Sequence, residues 1–72
     1  MRVQVKLFFH LRKDRIKDVE LADGSDAGEL IRQLGIRLED VGVLSINDQQ
    51  ATLDQKLENG DVISIIPPIG GG

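Results

Sequence analysis

The chain has 72 residues, 40% of them apolar, and its only aromatics are two Phe. A single domain of this length buries only about 60% of its unfolded surface, so its core has to be compact and regular. With no cysteine and a formal net charge of −3, it excludes a disulfide scaffold, thiolate zinc, an iron–sulfur cluster, a cysteine nucleophile and a basic footprint for nucleic acid.

The start lacks the apolar core of a signal peptide, and the longest apolar stretches are too short to span a bilayer. A cytoplasmic protein that contacts neither nucleic acid nor membrane is expected. Residues Arg2 to Arg12 alternate, with Val3, Val5, Leu7, Phe9 and Leu11 on one face and Arg2, Gln4, Lys6, Phe8 and His10 on the other. A period of two reads as a strand with one face in the core. Phe8 is then an aromatic on the wet face.

Lys13-Asp14-Arg15 turns the chain, and Ile16 to Leu21 gives a second strand and a hairpin. The cations His10, Arg12, Lys13, Arg15 and Lys17 read as its solvated surface. Asp23-Gly24-Ser25 breaks the strand. Ala27, Leu30, Ile31 and Leu34 then fall at i, i+3, i+4 and i+7, one face of a helix. Asp26 and Glu29 form a capping-box pattern, and Gly35 supplies the left-handed residue that stops it. Gly28 inside it predicts a short helix held by packing.

Val41 to Ile46 reads as a third strand, ending in the turn signal Asn47-Asp48. Gln49 to Thr52 reads as a short edge strand, and Leu53 and Leu57 as plugs of the core. Asn59-Gly60 turns the chain into Val62 to Ile66, a β-branched last strand that Pro67-Pro68 ends. The order β-β-α-β-β-β makes an α+β fold with one main helix across one face of a mixed four- to five-stranded sheet. That is the ubiquitin-like β-grasp, expected over residues 1–68, with 69–72 as a flexible tail.

The tail, Ile69-Gly70-Gly71-Gly72, carries the chemistry. Glycine lacks Cβ, so Gly70, Gly71 and Gly72 can thread a channel where any side chain would clash. Two prolines stiffen the exit and hold the segment off the body. The reacting group is then the Gly72 carboxylate, a poor electrophile until it is activated. Attack on the α-phosphate of ATP makes it an acyl-adenylate, open to a sulfur nucleophile or an amine. Terminal glycines alone are a weak signal, since chain ends commonly fray. Their position directly after a domain-length β-grasp pattern favours function.

Other residues offer little. His10, the only histidine, has no partner at ligand or triad spacing. Asp14, Asp18, Glu20 and Asp23 match no cation loop. Gly24, Gly28 and Gly35 form no phosphate cradle after a strand. No metal site, no intrinsically bound cofactor and no enzyme activity of the chain's own are expected.

Val5-Lys6-Leu7-Phe8-Phe9-His10-Leu11-Arg12, Ile46-Asn47-Asp48, Leu57-Glu58-Asn59-Gly60-Asp61-Val62 and Pro67-Pro68-Ile69-Gly70-Gly71-Gly72 together resemble the MoaD/ThiS family of ubiquitin-like sulfur carriers. The resemblance spans essentially the whole chain. The Asn-Gly-Asp turn and the Pro-Pro exit are similar to MoaD-type small subunits of molybdopterin synthase. The polar Gln50 and the short stretch from Leu11 to Val19 differ from many of these.

The resemblance implies that an E1-like enzyme of the MoeB/ThiF type, using ATP and magnesium, adenylates Gly72. Thiocarboxylation and sulfur delivery come next, to molybdopterin through a MoaE-type subunit, to thiazole through a thiazole synthase, or to another acceptor such as tRNA. It also implies docking on the activating enzyme through an apolar patch on the open sheet face. Phe8 and Ile66 match that patch, and Pro67, Pro68 and Ile69 complete the expected docking residues. The tail is equally compatible with a protein modifier joined to lysines through Gly72, and the fold with an adaptor that is never activated.

Overall fold

The structure, a computed structural model, describes residues 1–7 and 15–68. Five strands form one mixed sheet in the order β2-β1-β5-β3-β4. They are β1 (Arg2–Leu7), β2 (Arg15–Glu20), β3 (Val43–Ile46), β4 (Gln49–Gln50) and β5 (Val62–Ile66). β1 pairs antiparallel with β2 and parallel with β5, and β3 pairs antiparallel with both β5 and β4. The expected β-grasp arrangement is therefore present, with all five strands.

Alternation decides which face is buried. Val3, Val5, Ile63 and Ile65 are sealed, and Leu44 and Ile46 from β3 and Val19 from β2 join them. The helix α1 (Ala27–Gln33) contributes Ala27, Leu30 and Ile31 to the same cluster. It has only seven residues, too few to hold in water alone, so packing and caps stabilise it.

The caps are complete. The Glu29 N–H donates to Asp26 Oδ1 at 2.9 Å and the Asp26 N–H donates to Glu29 Oε1 at 3.1 Å. At the other end the Ile36 N–H donates to the Ile31 carbonyl and the Gly35 N–H to the Arg32 carbonyl. Gly35 sits at φ 76°, the left-handed residue of a Schellman stop. Two first-turn donors that the Asp26 side chain does not serve are taken up by the chain before β5. The Ala27 N–H donates to the Gln55 carbonyl and the Gly28 N–H to the Leu53 carbonyl.

Several boundaries differ from the sequence reading. The third strand begins at Val43, not Val41, because a 3₁₀ turn at Leu38–Asp40 precedes it. The Val41 N–H closes that turn on the Leu38 carbonyl. The edge strand is shorter than expected, Gln49–Gln50. Leu57 fills the core as expected, but Leu53 does not: it is 40% exposed. Its main chain serves the helix start, which leaves its side chain at the surface beside Leu38. Of the expected first strand and turn, residues 8–14 lie outside the described residues.

Candidate functional site

The site expected from the sequence is the end of β5 together with the proline pair and the glycines beyond it. β5 is the middle strand of the sheet, bonded to β1 on one side and β3 on the other. Its inward residues, Ile63 and Ile65, are fully buried. A strand clamped on both edges and anchored by two buried isoleucines is a firm base for the segment that follows it.

Ile66, the last residue of β5, is half-buried and lies opposite Val43. It points to the face away from α1, as its phase predicts. The cross-strand register places Ile16, Lys6, Ser64, Ser45 and Gln50 in the neighbouring row on that face. Ile16 is 57% exposed and Val43 38%, so apolar surface on the open face extends beyond Ile66. The sequence reading did not single out either residue; a β-branched residue in phase with polar neighbours is the signal that could have found them.

Pro67 is half-buried and Pro68 exposed. Neither has an N–H, so the β5–β3 ladder closes with a bond in one direction only, from the Gly42 N–H to the Ile66 carbonyl at 2.7 Å. Gly42 also lies under the proline pair. A Cβ built on it would fall 2.6 Å from Pro68 Cα and N and 2.7 Å from the Pro67 carbonyl carbon. By pattern Gly42 falls within the expected third strand, although a lone glycine there is a recognised sign of close backbone approach.

Phe8, Ile69, Gly70, Gly71 and Gly72 lie outside the described residues. The pairing that would bring Phe8 toward Ile66 is present as far as its last described rung, Leu7 opposite Ile65 in parallel β1 and β5.

The other two motif stretches meet at the opposite end of β5. Asn47 Nδ2 donates to Asp61 Oδ1 at 3.0 Å, and the Val62 N–H donates to Asn47 Oδ1 at 3.0 Å. The Glu58 N–H donates to Asp61 Oδ2 at 2.8 Å, and the Arg2 N–H to Asn59 Oδ1 at 2.8 Å. Asn47 and Asp48 are both left-handed, at φ 52° and 68°, and Gly60 is at 89°. These side chains tie β1, β3 and β5 together at the end remote from the tail. Among the described residues no group of three His, Cys, Asp or Glu could hold a metal ion, and no helix is long and apolar enough to cross a membrane.

Comparison with known proteins agrees with this geometry. A protein-family model described as the ThiS family matches residues 5–72. A Pyrococcus furiosus structure, described provisionally as molybdopterin converting factor subunit 1, is similar at 26% identity over 94% of this chain and 98% of that chain, with a TM-score of 0.75. The Helicobacter pylori complex of subunits 1 and 2 of molybdopterin-converting factor includes a chain similar at 28% identity, covering 100% of both chains, with a TM-score of 0.70. SAMP1 from Haloferax volcanii shares the fold at 20% identity, with a TM-score of 0.78 over 100% of both chains.

Proposed function

Because the chain belongs to the ThiS family, we propose that it is a sulfur carrier whose working group is the Gly72 carboxylate. The family consists of small ubiquitin-like carrier subunits rather than catalysts. The supporting observation is that β5, held on both edges, runs directly into Pro67-Pro68 at the sheet rim, in a chain whose family match extends to residue 72.

The chemistry starts from the low reactivity of a carboxylate. Resonance makes it a poor electrophile, so one oxygen attacks the α-phosphate of ATP and pyrophosphate leaves. The resulting acyl-adenylate has AMP as its leaving group. The terminal sulfur of a persulfide on a partner displaces AMP to give an acyl disulfide. A second thiol then attacks the partner's sulfur of that S–S bond, releasing the terminal thiocarboxylate and leaving a disulfide behind. An E1-like enzyme of the MoeB/ThiF type would supply the magnesium, the nucleotide site and the acid–base groups. This chain supplies a docking surface, with Ile66 as its described member and Phe8 as the member expected from the sequence, and the slim Gly70-Gly71 approach.

The Helicobacter pylori complex of subunits 1 and 2 favours delivery to a molybdopterin precursor through a second, MoaE-type subunit. A thiazole synthase is the other acceptor consistent with the family. Intact-mass measurement after incubation with native cell extract, ATP and a sulfur donor tests the proposal. The expected result is a gain equal to replacing one oxygen by sulfur, lost when Gly72 is deleted. Tail-dependent higher-mass conjugates without that gain would instead establish a protein modifier.

A further inference from the structure

We infer that Gly42 is a positioning residue for the tail, its missing side chain forming the seat over which Pro67 and Pro68 leave the sheet; this rests on the carrier reading above. Three observations converge on it. The prolines have no N–H, so beyond the bond from the Gly42 N–H to the Ile66 carbonyl neither of them can donate to the ladder and fix the direction of the chain. The seat is made instead by contact, with Pro68 Cα and N only 2.6 Å from where a Cβ on Gly42 would lie. Finally, Gly42 does not have the positive φ seen at Gly24, Gly35 and Gly60, so its backbone suits any residue. Close approach, not conformation, requires glycine here.

The consequence is directional. Carbon atoms in ordinary contact sit about 3.5–4.0 Å apart, so a methyl group at position 42 would drive the proline pair outward by roughly 1 Å. Both prolines have fixed φ, which leaves only their ψ angles to take up the push at the exit and limits how far it can be absorbed there. A carboxylate that must meet the α-phosphate in line is sensitive to such an error, since a misplacement of about 1 Å can cost on the order of a hundredfold in rate. Ile66, on the open sheet face, precedes the displaced pair and stays in a strand clamped between β1 and β3, so the defect falls on kcat more than on KM.

The experiment is a mutant cycle on the full chain, read by ATP–pyrophosphate exchange with the E1-like enzyme of the same organism. Gly42→Ala is made alone and together with Pro67→Gly and Pro68→Gly, which free the segment to move aside. We expect Gly42→Ala alone to lower kcat at least about tenfold with KM within about twofold, and to cost less than about twofold in the diglycine background. Undiminished kcat in Gly42→Ala, or an equal cost in both backgrounds, would overturn the assignment. If Gly42→Ala fails to fold, recovery of its amide spectrum by the two glycines supports seating by contact, and failure to recover overturns it.

Contacts between the Gly42 and Pro68 α-protons, measured by NMR on the unaltered chain, test the seat without any enzyme. Their absence would reject it. An unaltered chain that supports no exchange but shows those contacts would count against the carrier reading and not against the seat.

Discussion

Asn47 shows how one side chain can hold a turn and a strand end together. Its backbone is left-handed at φ 52°, a conformation that costs a residue with a Cβ roughly 1–2 kcal/mol unless a short polar side chain compensates locally. The compensation is visible: Oδ1 accepts from the Val62 N–H and Nδ2 donates to Asp61. Replacing Asn47 by alanine keeps the strain and removes both bonds, so a loss of about 2 kcal/mol is expected in urea unfolding. Glycine removes the bonds but relieves the strain, and about 1 kcal/mol is expected. Equal losses would show that the turn does not depend on φ. Asp48, at φ 68°, has no such bond among the described residues, and Asp48→Gly should raise stability by up to about 1 kcal/mol. The sequence marked Asn47-Asp48 as a turn from residue type alone. The partnership with Asp61 was hidden because it joins positions far apart in the chain.

At the scale of elements, α1 is the sharpest case of a short segment specified from outside and at its ends. Its apolar stripe, capping box and terminal glycine are all local signals, and all are realised. Asp26→Ala removes the acceptor for the Glu29 N–H and should cost about 1 kcal/mol, a fall of about 4–8 °C in Tm for a domain of this size. Leu30, fully buried, should cost about 2–5 kcal/mol on truncation to alanine and leave little of the native state. A helix that survived Leu30→Ala with an unchanged melting curve would contradict packing as its main support. The elements that sequence pattern missed lack any period. Leu38–Asp40 is one 3₁₀ turn, too brief for periodicity, and it displaced the start of β3 to Val43. Leu53 has the composition of a core residue. However, its carbonyl is committed to the Gly28 N–H, and that tertiary bond turns its side chain out. Gly42 fits a strand pattern, and nothing local says that Pro68 will lie against it.

Across the whole molecule, β5 joins two ends with different tasks. Its start is tied by the Asn47–Asp61 bonds and its finish leads through Pro67-Pro68 toward the glycines, with Ile66 on the open face beside Val43. The carrier reading requires these parts to fail differently. Ile66→Ala removes half-exposed apolar surface and leaves the buried Ile63 and Ile65 in place. The fold should persist, while KM for the activating enzyme rises about five- to tenfold, corresponding to about 1 kcal/mol of lost docking, and kcat changes little. Deleting Gly71 and Gly72 should do the reverse, abolishing adenylation while the truncated chain still competes with the intact one for the enzyme. Asn47→Ala, remote from both, should lower stability and change neither constant at temperatures where the domain stays folded. ATP–pyrophosphate exchange at varied carrier concentration separates the three, and a truncated chain that failed to compete would mean that the glycines themselves supply the docking energy. On the carrier reading, a body that docks independently of its tail lets the carboxylate be presented to one enzyme for activation and then to another for transfer, because each encounter can begin before the terminal atoms arrive.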